Sequence, residues 1–219
     1  MATQTKENYL KAILFLSKDS EGVSITDLSE TMNVSKPTVN SMVKKLQEKD
    51  WIKYEKYKPL VLTSKGRKEA GLIIRKHRLS EMFLSKIMGF GWEEVHDIAE
   101  EIEHLKSKSL FDRMDEILGF PTKDPHGSPI PDKNGKITPT NFQNLLSVSV
   151  GQKIQLRGLT SSSKDLLIYL NKKQIKLGTV FTVLDIEDFD KSFELKLENG
   201  NVVNLSHSVS QCLLVEAFI

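Results

Sequence analysis

One cysteine, Cys212, is the only thiol in 219 residues. That excludes an internal disulfide framework and the zinc modules built on several thiolates, and it makes a reducing compartment the default. Long apolar runs are missing too, since nothing approaches the ~18 residues a membrane helix needs. The opening Met-Ala-Thr-Gln-Thr-Lys-Glu has no basic region leading into an apolar stretch, so no secretory signal is expected and the cytoplasm is the expected location. The zinc-protease pattern His-Glu-x-x-His is absent, as are a glycine-rich phosphate loop and a nucleophile elbow. The composition gives no sign of an enzyme. What remains, 39% hydrophobic and 27% charged residues, is ordinary for a soluble chain of one large domain or two to three small ones.

The net charge of +2 says little, but its distribution says more. From Ser35 to Arg78 the basic residues Lys36, Lys44, Lys45, Lys49, Lys53, Lys56, Lys58, Lys65, Arg67, Lys68, Arg75, Lys76 and Arg78 are opposed only by Glu48, Asp50, Glu55 and Glu69. From Glu93 to Glu116 the balance reverses, with Glu93, Glu94, Asp97, Glu100, Glu101, Glu103, Asp112, Asp115 and Glu116 against Lys106, Lys108 and Arg113. One stretch suits a polyanion and the next a cation.

The acidic stretch contains His96-Asp-Ile-Ala-Glu-Glu-Ile-Glu-His104. At helical periodicity His96, Glu100, Glu103 and His104 share one face, beside an apolar face of Val95, Ile98, Ala99, Ile102 and Leu105. Asp97 and Glu101 point to water. Imidazoles and carboxylates bordering a buried stripe need compensation, and a divalent cation supplies it. Upstream, His77 and Glu81 stand four residues apart in a second helical pattern.

Taken in order, the chain opens with an amphipathic helix from about Lys6 to Ser17, broken at Glu21-Gly22. A short helix follows from Ser24 to Met32, and Asn33-Val34-Ser35 makes a turn in which Ser35 caps a third helix with Pro37 in its first turn. Val39, Met42, Val43 and Leu46 face inward, leaving Lys36, Thr38, Asn40, Ser41, Lys44 and Lys45 outward. A tight turn and a polar-faced second helix read as a helix-turn-helix. The hairpin Trp51–Glu55, Lys56-Tyr57-Lys58-Pro59, Leu60–Thr63 reads as a basic wing. DNA binding is therefore expected through Ser35, Lys36, Pro37, Thr38, Asn40, Ser41 and Lys44 in the major groove, with Lys56 and Lys58 on phosphates.

Thr63-Ser64 caps a long helix to about Met88, too apolar for one small neighbour to cover, and a shorter helix runs from Ser107 to Leu118. Such surface predicts a two-fold homodimer, which matches a palindromic double-stranded operator. Five of the seven prolines fall between Pro121 and Pro139, as a loop leading into a linker. Beyond Val148 come short strands at Lys153–Arg157, Val180–Ile186, Phe193–Leu197, Val202–Leu205 and Leu213–Glu216, with a helix at Lys164–Leu170 and a turn at Glu198-Asn-Gly-Asn201. That is a small β-barrel. The fold class is mainly α with β, in three domains: a winged helix-turn-helix (1–63), a helical metal-binding and dimerisation domain (64–140) and a barrel (148–219).

Ser-Lys-Pro-Thr-Val in the recognition helix, Tyr54-Glu-Lys-Tyr-Lys-Pro-Leu-Val-Leu-Thr-Ser-Lys-Gly66, Arg75-Lys-His-Arg-Leu-Ser-Glu81, Val95-His-Asp, Glu103-His104 and Pro125-His-Gly-Ser-Pro-Ile-Pro131 together resemble the diphtheria toxin repressor family of metal-dependent transcriptional regulators. The resemblance covers nearly the whole chain, including an SH3-like (FeoA-like) barrel. It implies a homodimeric, cytoplasmic repressor that binds operators of metal-uptake genes when Mn(II) or Fe(II) is abundant. It places a main site at Glu100, Glu103 and His104, with His77 nearby or in an adjoining site with Glu81 and His96. It also places a ligand from the first helix at Asn8, where relatives carry methionine or aspartate. Glu100 replaces the cysteine of iron-type members, so oxygen and nitrogen ligands without sulfur favour Mn(II), with Fe(II) as the alternative. Lys11 stands where two-metal manganese regulators carry glutamate, and its ammonium is expected to disfavour a second cation beside Glu100. A second site across Asp124, His126 and Asp165, with Glu81, follows from barrel-containing relatives.

Two other readings are weighed against this one. A di-iron enzyme with an accessory winged helix is suggested by Glu101-Ile-Glu-His104, but needs a second such motif and two further glutamates. A metal-independent winged-helix regulator would ignore the loss of His104.

Overall fold

The computed structural model describes residues 2–17, 22–56 and 58–218. Tyr57, expected in the wing, and Glu21, expected at the first helix break, lie outside them. The chain divides into two compact units.

The first unit comprises Met1–Ser80, Ala99–Glu116 and Ile130–Thr138. It opens with α1 (Ala2–Leu16), α2 (Ile25–Thr31) and α3 (Lys36–Gln47). The start signals are met as the sequence sets them. Ser24 accepts the Asp27 N–H at 3.0 Å, and Ser35 accepts that of Thr38 at 3.4 Å, with Pro37 in the first turn of α3. The wing is a hairpin of β1 (Ile52–Lys53) and β2 (Val61–Leu62) in the register Ile52↔Leu62, shorter than expected and extended by an isolated bridge, Val23↔Leu60. Tyr9, Leu10, Ile13, Leu28, Val39, Val43, Leu46, Ile52, Leu60 and Leu62 form its core. Each helix buries the stripe its 3.6-residue period defines.

The long helix α4 (Ser64–Lys86) begins at Thr63, whose hydroxyl accepts the Gly66 N–H at 2.9 Å. Gly66 is required there, because a Cβ would meet the Trp51 carbonyl oxygen at 1.8 Å. After α4 come α5 (Val95–Ile102) and α6 (Lys108–Ile117). The sequence predicts that α5 continues through His104; it stops at Ile102. Lys76 accounts for the stop, since its ammonium donates to the Glu103 carbonyl and, at 3.5 Å, to that of Leu105, taking acceptors a helix end leaves open. Glu103 and His104 therefore sit in the turn after α5.

The second unit comprises Glu81–Ile98, Ile117–Pro129 and Pro139–Ile219. Its sheet is antiparallel, in the order β3-β8-β4-β5-β6-β7, from β3 (Gln143–Asn144), β4 (Lys153–Leu159), β5 (Val180–Ile186), β6 (Phe193–Leu197), β7 (Val202–Leu205) and β8 (Leu213–Ala217). Helix α7 (Lys164–Lys172) lies between β4 and β5 in the chain, and the single turn α8 (His207–Ser210) precedes β8. Alternation places Ile154, Leu156, Phe181, Val183, Leu195, Val203, Leu205, Leu213 and Val215 inside, with Leu167 and Leu170 of α7. Gly200, at φ +87°, makes the expected turn after β6. The short β3 is the one strand of this sheet that sequence alternation does not reveal.

Candidate metal centre

Glu103 is the centre of the first unit's polar cluster. Its side chain is 0% exposed, and three side chains converge on it. His77 Nδ1 lies 2.7 Å from Oε2. The Lys11 ammonium lies 2.8 Å from Oε1 and 3.0 Å from Oε2, and reaches Glu100 Oε1 at 3.1 Å. His104 Nε2 stands 3.6 Å from Oε1. Burial alone would push the Glu103 carboxyl up, but the His77 hydrogen bond and the Lys11 charge outweigh it and hold the group below its ordinary range. Glu103 is thus an ionised carboxylate in a closed site.

The helix α1 supplies the other wall. Glu7 Oε2 lies 2.7 Å from His104 Nδ1, which leaves Nε2 turned toward Glu103. One residue on, the Asn8 side-chain oxygen is shielded from solvent and accepts no hydrogen bond among the described residues. A shielded carbonyl oxygen without a partner among the described residues, on the helix that also brings Glu7 and Lys11 to the cluster, has the chemistry of a cation ligand. The donors are carboxylate, imidazole and amide oxygen, a set that fits Mn(II) or Fe(II). Glu100 stands at the rim, its side chain 49% exposed. The sequence reading missed Glu7. The available signal was its spacing, four residues before Lys11 on one face of α1.

The second unit holds its own cluster. Ligand atoms of Glu81, Asp124 and His126 lie within 4.8 Å of one another, and all three residues are buried. Asp124 Oδ1 accepts the N–H groups of His126 and Ser128, both at 2.9 Å, which shapes the loop. His126 Nε2 meets the Trp92 carbonyl oxygen at 2.7 Å, leaving Nδ1, 3.8 Å from Glu81 Oε1, for a ligand. Burial opposes the imidazolium, but the Glu81 carboxylate, then Asp124 and the Trp92 carbonyl, outweigh it and raise His126 above its ordinary value. The loop is pinned to β4 by the Leu159 N–H, which donates to the His126 carbonyl at 3.1 Å, and by Gly127, where a Cβ would lie 2.3 Å from the Arg157 carbonyl oxygen. His96 Nδ1 lies 3.3 Å from Glu81 Oε1 on the exposed side. Asp165 does not join the three: it is exposed in the first turn of α7.

On α3, Lys36, Pro37, Thr38, Ser41 and Lys44 are exposed and Asn40 is half-buried, while Val39, Val43 and Leu46 are buried. The Ser35 and Thr38 hydroxyls lie 2.9 Å apart at the start of this face. In the wing, Lys56 and Lys58 are exposed, and Lys58 pairs with Glu55 at 2.5 Å. Glu101, the residue the di-iron reading needs, is exposed on α5. No helix among the described residues is long and apolar enough to cross a membrane.

Three family models match the chain. They are the iron dependent repressor N-terminal DNA binding domain over residues 1–60, the iron dependent repressor metal binding and dimerisation domain over 63–132, and the FeoA domain over 143–217. The HTH-type transcriptional regulator MntR of Bacillus pumilus is 34% identical over 120 residues, 55% of this chain and 83% of that protein. The iron-dependent repressor IdeR of Mycobacterium leprae is 35% identical over 127 residues, 58% of this chain and 55% of IdeR. A solved manganese-dependent transcriptional repressor in complex with manganese superposes with a TM-score of 0.86 at 30% identity, covering 97% of this chain and 100% of that one. The chain therefore belongs to the iron-dependent repressor family, the diphtheria toxin repressor family of metal-dependent, DNA-binding transcriptional regulators, in the form that carries a FeoA domain, and the family is one of repressors and not of enzymes.

Proposed function

We propose that this protein represses metal-uptake genes by binding a palindromic operator as a homodimer when Mn(II), or alternatively Fe(II), is abundant. The observation that carries the reading is the convergence on buried Glu103 of His77 and His104, with Glu7 reaching His104 from α1. Residues 1–63 would bind DNA, 64–140 would bind metal and dimerise, and 148–219 would form the FeoA-type barrel. The same reading keeps the protein in the cytoplasm with its operator.

The main site would be held by Asn8, His77, Glu100, Glu103 and His104. A divalent ion there supplies positive charge that gathers carboxylate, imidazole and amide oxygen around one point. Asn8 lies on the first helix of the DNA-binding region, so as a metal ligand it would tie α1 to the turn after α5. Linkage follows: whatever arrangement metal favours gains population, and coupling of about 1–3 kcal/mol changes operator affinity roughly 5- to 150-fold. Glu81, Asp124 and His126, with His96 alongside and Asp165 on the exposed start of α7, would form a second site in the barrel-containing unit. DNA contacts fall to Ser35, Lys36, Pro37, Thr38, Asn40, Ser41 and Lys44 in the groove, and to Lys56 and Lys58 on phosphates.

The test is to select duplexes from a random pool with Mn(II) present, then titrate the selected DNA with Mn(II), with anaerobic Fe(II) and without metal. Metal-independent binding throughout would overturn the reading.

A further inference from the structure

Lys11 brings a positive charge onto the carboxylates of the metal centre and so works against a cation there. Its ammonium is within hydrogen-bond reach of both oxygens of Glu103, at 2.8 and 3.0 Å, and of Glu100 Oε1 at 3.1 Å. The Lys11 side chain is only 13% exposed, so this is an enclosed contact and not a mobile surface pair. The oxygens it occupies are those a divalent ion would need, and Oε1 also lies 3.6 Å from His104 Nε2. An ammonium and a dication cannot both sit a few ångströms from the same carboxylate without strong repulsion in so shielded a place. Lys11 also stands on α1, so its contact spans the same two elements as the Glu7–His104 pair.

We infer that Lys11 is a resident cation of the centre. In the metal-free protein its ammonium holds α1 to Glu100 and Glu103, and an arriving divalent ion must displace it, so Lys11 sets the metal concentration at which the protein responds. This rests on the metal-binding role proposed above and adds to it a built-in competitor. Removing the ammonium has two opposite consequences. Glu103 loses a buried partner, so the metal-free protein becomes less stable. The same carboxylate becomes more available, so metal binds more tightly.

The experiment compares wild type with Lys11→Met by Mn(II) binding in equilibrium dialysis and by thermal unfolding without metal. The expected result is Mn(II) affinity raised roughly tenfold or more, together with a lower metal-free Tm. A lysine that merely braces the fold gives the lower Tm with unchanged or weaker Mn(II) binding, and that result overturns the inference while leaving the metal site intact. If neither protein binds Mn(II), the proposed function and the inference fall together. A second measurement needs no variant: nitrogen-detected NMR of the wild-type Lys11 ammonium during titration with diamagnetic Zn(II). Loss of its protected signal as metal binds supports displacement, and a signal that persists at saturation refutes it.

Discussion

Glu7 Oε2 lies 2.7 Å from Nδ1 of His104, joining α1 to the turn after α5 across 97 residues of sequence. The contact fixes which imidazole nitrogen is left for the Glu103 side. Carboxylates that orient a ligating histidine in this way are worth about 10–100-fold in metal affinity. Glu7→Ala is therefore expected to weaken Mn(II) binding by roughly that factor with the ligands themselves intact. Calorimetric titration of the variant measures it, and an unchanged affinity would show that Glu7 only decorates the surface of α1.

The second cluster should tolerate losses unequally. His126 is 2% exposed and ordered by the Trp92 carbonyl, whereas Asp165 is exposed and outside the cluster of Glu81, Asp124 and His126. His126→Ala is expected to abolish metal at this cluster, and Asp165→Ala to weaken it far less. Counting bound Mn(II) per chain in both variants decides the matter. Equal loss in the two would make Asp165 a full ligand that closes on the metal.

Binding at that cluster should also respond to pH. His126 is raised above its ordinary value, with burial opposing and the Glu81 carboxylate then prevailing. The stability it contributes is present below the unfolded value of about 6.5 and is lost as pH rises through the higher folded value. A metal needs the neutral imidazole, so its binding displaces a proton and strengthens as pH rises. Titrations with Mn(II) at pH 6 and pH 8, in buffers of different ionisation heat, would register the released proton. Affinity independent of pH would contradict this account.

Gly127 has φ +85°, and a Cβ there would approach the Arg157 carbonyl oxygen to 2.3 Å. Gly127→Ala is expected to cost about 1–3 kcal/mol through the left-handed backbone and the clash together. Urea unfolding gives the value. A cost below about 0.5 kcal/mol, the size of an ordinary surface change, would mean the loop has another way to meet β4.

Lys44 is exposed on the outer face of α3. If it meets a phosphate, Lys44→Ala lowers operator affinity across sequences and reduces the salt slope by about one. Titrations at several salt concentrations would show it, and loss of discrimination at a single base pair would assign Lys44 to base reading instead.

The sequence by itself determined the elements and their inward faces. Ser24, Ser35 and Thr63 start helices because a side-chain oxygen satisfies a free N–H locally, and alternation in β4 to β8 marks core residues because a strand has two faces. Helical spacing also grouped Glu100, Glu103 and His104, while it was the resemblance to the family that implied His77 and Asn8 beside them. Only the tertiary structure decided the rest. Lys76 takes the carbonyls after Ile102, so Glu103 and His104 leave the helix that periodicity had drawn through them. Glu7 and Lys11 reach His104 and Glu103 from about ninety residues away, and nothing local in α1 encodes that meeting. Asp165 stands on the exposed face at the start of α7, which its charge could not foretell. Periodicity tells which side of an element is wet; which residue stands opposite is settled only when the elements pack.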